Sequence, residues 1–289
     1  MKAAVSRRPK PRNKAVPDAV RTVESQAWRG NLLAPGERTI PEETAVAFTY
    51  NGSSYAVMMA TPQDLEDFAV GFSLTERVVA SPDEIERLDL VEQENGVELR
   101  MWLKEPHAAD FAERRRYLAG PTGCGLCGIE SLAEAVRPPP KVAADVTFSG
   151  PDVMRALHAL DGRQAIHRQT HAVHGAAFFV PQHGLVAVRE DVGRHNALDK
   201  LAGALTRSTI APAHGFAVVT SRLSVEMIQK AAAIGVPVLV AVSAPTALAL
   251  RTAESAGITL IGIARHDGFE IFTHPQRITE ERSLHVVAG

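Results

Sequence analysis

The sequence predicts an α/β fold, a partly parallel sheet covered by helices, preceded by a smaller α+β unit. Three observations carry this. From residue 185 onward, short runs rich in Val, Ile and Leu alternate with segments of helix length, and repeated β-α-β implies parallel strands joined by covering helices. Gly235 and Gly257 each stand just before a Val- or Ile-rich run, where a helix C-cap is expected. The polar residues of this half collect at the carboxyl ends of the predicted strands, where open α/β sheets bind ligands.

In chain order, residues 1–28 read as a basic tail, with Lys2, Arg7, Arg8, Lys10, Arg12 and Lys14. Arg7-Arg8 is followed by no apolar segment, so an export signal is not expected. Residues 29–120 read as the α+β subdomain. Strands are predicted over 44–50 and 54–60 across an Asn51-Gly52 turn. A helix starts at Thr61-Pro62-Gln63-Asp64, with Thr61 suited to cap it and Asp64 to its positive end. Leu65, Phe68, Ala69 and Phe72 follow on one face. Strands are expected again over 88–92 and 97–103. Glu76-Arg77 and Asp199-Lys200 read as surface pairs.

Residues 121–289 read as the α/β domain, with a cysteine loop at its start and a short helix over 129–136. An amphipathic helix is expected over 151–160, and strands over 176–180 and 185–189. The strand over 185–189 opens three strand–helix steps, which a last strand over 258–263 follows. The polar strand ends form four loops: 190–196, 220–224, 243–246 and 265–268. If their strands lie parallel, the loops line one edge. Hydroxyl residues open two of the helices, and a helix N-terminus suits phosphate. Arg194, Arg222 and Arg265 add cations. A phosphorylated, nucleotide-like ligand is expected there, with His195, Ser243 and Thr246 beside it.

Composition narrows the classes. The chain has 289 residues and a formal net charge of −2, so its charge does not mark a nucleic-acid binder. Only 5% of residues are aromatic, too few for stacking platforms along single strands. The longest apolar run, 233–250, is broken by Gly235, Pro237, Ser243 and Pro245; no membrane span is expected. Two cysteines fit a reducing cytoplasm.

Both cysteines stand in Gly120-Pro121-Thr122-Gly123-Cys124-Gly125-Leu126-Cys127-Gly128, with four of the 21 glycines. Such a backbone accommodates φ > 0 and close approach, and free N–H groups favour a thiolate. A reactive thiol, half of a metal site and a plain glycine turn all fit these residues. A structural zinc needs four protein ligands, and no second cysteine pair is present. A zinc nucleobase deaminase would carry His-x-Glu and Pro-Cys-x-x-Cys. None of the eleven histidines has glutamate two residues on, and Pro121 is not adjacent to Cys124.

On Thr122 to Gly128, on Arg189-Glu-Asp-Val-Gly-Arg-His-Asn-Ala-Leu-Asp-Lys200, on Ser243-Ala-Pro-Thr246 and on Thr273-His-Pro-Gln-Arg277, the chain resembles the FdhD family, the formate dehydrogenase accessory sulfurtransferases. The resemblance spans about residues 40–280, with one departure at Thr170-His171-Ala172-Val173-His174, where two glycines are expected after the threonine. It implies a cytidine-deaminase-like mixed sheet without zinc chemistry and no structural metal. It implies that a cysteine desulfurase hands a persulfide sulfur to Cys124, with Cys127 as its companion. The sulfur then passes to the molybdenum or tungsten bis(guanine dinucleotide) cofactor of a formate dehydrogenase. The family's cofactor-binding segment corresponds to Ile263, Ala264, Arg265, His266, Asp267 and Gly268, and a homodimer is implied. A cofactor-binding chaperone without covalent sulfur, or a Cys-x-x-Cys thiol oxidoreductase, are the alternative functions.

Overall fold

The computed structural model describes residues 16–104, 137–208 and 210–280. The Cys124-x-x-Cys127 loop and the helix expected over 129–136 lie outside them.

The larger sheet has six strands. They are β8 (His174–Val180), β9 (Gly184–Asp191), β10 (Phe216–Val219), β11 (Val238–Ala241), β12 (Thr259–Arg265) and β13 (Gly268–Ile271), in spatial order β13-β12-β11-β10-β8-β9. β10, β11 and β12 are parallel neighbours, while β8 is antiparallel to both β10 and β9. β9 therefore points the same way as β10 with β8 between them. Four strands thus end at one edge, which is the placement expected from the strand–helix alternation.

Three helices, α4 (Arg194–Thr206), α5 (Val225–Ala233) and α6 (Ala247–Ala256), cover one face of this sheet. Leu198, Leu201, Met227, Ile228, Ala249 and Ala253 pack there against Phe178, Val219 and Leu239. The other face is covered by α2 (Gly150–Asp161), whose Val153, Ala156 and Leu160 meet Phe179, Phe216 and Val240. Alternation of successive side chains along each strand divides the two cores. Ser149 and Asp152 form a capping box at the start of α2, which fixes where it begins. Gly257 ends α6 at φ 75°, as its position predicts.

The smaller sheet runs β4 (Ser53–Ala60), β3 (Thr44–Tyr50), β6 (Gly96–Leu103), β5 (Ile85–Gln93). α1 (Leu65–Thr75) lies on it through Phe68 and Phe72, which pack against Phe48. The opposite side of α1 crosses α4. A Cβ added at Gly71 would stand 1.7 Å from the Asp199 carbonyl oxygen, and one at Gly203 would stand 1.9 Å from that of Asp67. The helices thus touch backbone to backbone. α4 is enclosed between the six-stranded sheet and α1, which is why Asn196 through Leu205 are all buried.

Residues 20–28, assigned to the tail by sequence, belong to β1 (Val20–Arg29), which pairs with β2 (Leu32–Pro41) as a separate ribbon. It is held by ten-residue pairing with β2, and none of its side chains is fully buried. Two short elements are not signalled by sequence: α3 (Ala165–Thr170) before β8, and the β7 (Phe148–Ser149) to β14 (Ile278–Thr279) pairing that ties the C-terminal stretch to the start of α2.

Candidate functional site

The four polar loops stand in line along the carboxyl edge of the large sheet, after β9, β10, β11 and β12. β9 and β12 are four strand positions apart, so the row is about 19 Å long at about 4.8 Å per strand. Arg194 and His195 occupy one end, Arg265 and His266 the other, with Arg222, Ser243 and Thr246 between. This spacing suits an extended ligand rather than one small pocket.

At the β12 end, Ile263 has φ 52°. A β-branched side chain in the left-handed region is strained, and such strain collects at binding sites. The ladder to β13 shifts register between Gly262 and Arg265 at the same place. The Ile263 N–H donates to the Ser243 carbonyl at 3.2 Å, joining two of the loops. Arg265 is exposed, whereas the side chain of Ala264 is buried in the core, so only its backbone faces the edge. His266 stacks on His158 of α2 at 5.4 Å between ring centres, with Asp161 3.6 Å away. Gly268 opens β13 at φ 153°.

In the middle, Thr246 caps α6 by accepting from the Ala249 N–H at 3.2 Å. The Thr246 N–H donates to the Leu223 carbonyl at 2.9 Å, and Leu223 bridges to Pro245, so the second and third loops are fastened together. Arg222 is exposed beside them.

At the β9 end the polar residues have divided roles. Glu190 accepts from the Ile166 and His167 N–H groups at 2.9 and 2.8 Å, holding α3. Asp191 accepts from the Thr61 N–H at 3.0 Å, the Gly193 N–H at 2.7 Å and Asn196 Nδ2 at 2.9 Å, and Lys200 Nζ stands 2.6 Å from it. Thr61 is no cap for α1. Its hydroxyl accepts from the Val192 N–H and its carbonyl from Lys200, while Asp64 takes the N-cap position at φ 55° without a capping side chain. Glu190, Asp191 and Asn196 therefore build the turn and clamp the smaller sheet to the larger.

The two expected surface pairs are corrected here. Neighbours in a helix point about 100° apart, and each residue of Asp199-Lys200 finds another partner, both being buried. Asp199 accepts from Thr75 and stands 2.9 Å from Lys230 of α5, and Lys230 also reaches Glu76 at 2.6 Å. Burial raises the Asp199 pKa to about 6 despite the ammonium. Burial alone would lower Lys230, but Asp199 and Glu76 more than offset it and hold it above its ordinary range.

Arg194 and His195 are the residues left over. Arg194 Nε, His195 Nε2, Ser224 Oγ and Glu226 Oε2 are buried polar atoms without a hydrogen-bond partner. Such atoms are uncommon in folded proteins, each costing about 1–3 kcal/mol. Burial, then the charges of Lys230 and Arg194, lower the His195 pKa to about 4, so the ring is neutral at pH 7. Sequence reasoning did not select Glu226; an acidic residue in a first turn reads as a partner of the helix dipole. The signal lies in its spacing, four residues before Lys230 as His195 is four before Asp199, and it is visible only once the helices are paired. Among the described residues no cluster of three or more metal-ligating side chains is present, and no helix is long and apolar enough to cross a membrane.

The family model of the FdhD/NarQ family matches residues 41–279. This chain belongs to that family. A protein of Agrobacterium fabrum named sulfur carrier protein FdhD is 52% identical over 265 residues, covering 91% of this chain and 98% of that one. Its counterpart of the same name in Brucella abortus is 51% identical over 261 residues, covering 90% and 97%. Among solved structures, a Desulfotalea psychrophila protein described as a candidate formate dehydrogenase accessory protein matches at a TM-score of 0.73. It covers 90% of this chain and 100% of its own, and at 23% identity it speaks for the fold. The FdhD resemblance read from the motifs is thereby established, and the mixed α/β architecture is shared with that neighbour.

Proposed function

We propose that this chain is a cytoplasmic sulfur carrier that loads sulfur from a cysteine desulfurase on Cys124 and delivers it to the molybdenum or tungsten bis(guanine dinucleotide) cofactor of a formate dehydrogenase. The observation that carries the reading is sequence similarity of about half of all positions, over nine-tenths of the chain, to proteins named sulfur carrier protein FdhD, together with a cysteine pair set among glycines.

Loading is an exchange at sulfur. The Cys124 thiolate attacks the outer sulfur of the donor persulfide; the donor S–S bond breaks and its cysteine leaves as a thiolate. Cys124 now carries the persulfide, with no net change in oxidation state. Delivery as sulfide needs two electrons. Cys127 supplies them when its thiolate attacks Cys124 Sγ, forming a Cys124–Cys127 disulfide and releasing the outer sulfur to the cofactor. A cellular thiol reductant of the thioredoxin class then restores the pair.

The cofactor is the substrate of this reaction. The row of loops supports its extended shape: Arg265 and Arg222 suit the diphosphates, and the backbone at 263–268 supplies close approach. The cytidine-deaminase relationship and a homodimer belong to the same reading. Complementation tests it against a chaperone that transfers no sulfur. Cells lacking this protein should regain formate dehydrogenase activity with the wild type and not with Cys124→Ala; full activity with that variant favours the chaperone.

A further inference from the structure

α4 and α5 leave the same sheet edge, from β9 and β10, so both present their first turns there. One turn further in, Asp199 of α4 and Lys230 of α5 join the helices at 2.9 Å, both buried. Helical spacing places residue i on the face of residue i+4. His195 therefore stands one turn outward of Asp199, and Glu226 one turn outward of Lys230, on the same interhelical seam. The inner rung is fully paired, through Thr75 and Glu76 as well. The outer rung is not. His195 Nε2 and Glu226 Oε2 are buried there without partners, as are Ser224 Oγ and Arg194 Nε at the helix starts. Ser224 holds the N-cap position of α5 but makes no capping bond.

We infer that Glu226 and His195 read the 2-amino-4-oxopyrimidine edge shared by guanine and pterin rings. This deepens the cofactor reading above and rests on it. The donor and acceptor inventory selects the ligand class. A carboxylate that faces the site needs adjacent N–H donors, and this ring edge offers a ring N–H beside an exocyclic amino group. The neighbouring carbonyl oxygen accepts from His195 Nε2–H, Ser224 or Arg194. A bare phosphate satisfies the donors but sets its charge against Glu226. Adenine turns an acceptor nitrogen toward a carboxylate that can only accept. The neutral state of His195 agrees with this, since a neutral imidazole donates from Nε2 to the ring carbonyl without adding a charge to the site.

Calorimetric titration of the full chain with GDP, IDP, ADP and 6-hydroxymethylpterin tests the inference. IDP lacks the exocyclic amino group and ADP lacks the lactam edge. The wild type should bind GDP at least tenfold tighter than IDP and ADP, and Glu226→Gln should lose at least tenfold for GDP while leaving ADP unchanged. A pterin that binds in place of GDP and shows the same dependence on Glu226 assigns the site to the pterin source. GDP preferred over ADP but unaffected by Glu226→Gln overturns the assignment of this pair and leaves the cofactor reading standing. Equal affinity for GDP and IDP on the wild type overturns it without any variant. Binding of neither ring removes both the pair and the cofactor placement.

Discussion

Lys200 lies wholly inside the protein with its ammonium 2.6 Å from the Asp191 carboxylate, and it donates onward to the Thr61 carbonyl at 2.8 Å. One residue of the strand end, one of the helix and one of the smaller sheet's connection thus share a single buried charge pair. The motif that marks the family in sequence is in large part a clamp.

Removing one half of that clamp strands the other. Lys200→Met leaves the Asp191 carboxylate buried without its counter-ion, and the expected loss is about 3–5 kcal/mol in urea unfolding. Asp191→Asn combined with Lys200→Met should recover part of it. A double-mutant cycle whose two single losses simply add would remove the coupling described here.

The crossing of α1 and α4 is equally exposed to test. Gly203→Ala puts a methyl group into the Asp67 carbonyl, against backbone that cannot rotate away. A destabilisation of about 3 kcal/mol is expected, read as a lower denaturation midpoint. Gly184→Ala, in open space at a turn with φ 75°, should cost only its backbone strain, about 1 kcal/mol. Equal losses at the two positions would contradict the close approach.

Acid should weaken the protein through His195. Its folded pKa, about 4, lies below that of a free imidazole. The unfolded chain takes up the proton first, so the stability this residue contributes is complete above pH about 6.5 and is lost as pH falls toward 4. The full shift corresponds to about 3 kcal/mol. Asp199, raised to about 6, acts in the opposite sense over pH 4–6, so the comparison must be made against His195→Asn in the same buffers. Thermal melts should show the wild type losing more stability than His195→Asn between pH 7 and 4.5. Parallel curves would refute the buried neutral ring.

Arg265 stands exposed at the far end of the row. If a diphosphate lies there, Arg265→Ala should weaken GDP binding by roughly tenfold, the scale of one charge-assisted hydrogen bond. The same substitution should reduce the salt dependence of binding. An unchanged affinity would move the diphosphate elsewhere.

Much of this architecture is legible in the chain. Val- and Ile-rich runs that follow Gly235 and Gly257 mark the parallel strands, and Leu65, Phe68, Ala69 and Phe72 mark the buried face of α1. The row of loops follows from strand direction alone. What stays hidden is partnership across the fold. Asp199 and Lys200 look like a surface couple because they adjoin, yet a helix turns them to different neighbours. Thr61 looks like a cap because it precedes a helix, yet it binds Asp191, Val192 and Lys200, more than a hundred residues away. β1 is missed because it lacks a sustained apolar alternation: Val20 and Val23 stand three apart, and none of its side chains is fully buried. Arg194 and His195 are found by motif, but the step from those residues to Glu226 requires knowing that α4 and α5 share a seam.

The most direct measurement is the mass of the protein after incubation with a cysteine desulfurase and L-cysteine, followed by peptide mapping without reductant. The account predicts one added sulfur atom on the peptide carrying Cys124, lost in Cys124→Ala and retained in Cys127→Ala. No added sulfur on the wild type, or an adduct that survives Cys124→Ala unchanged, would contradict it.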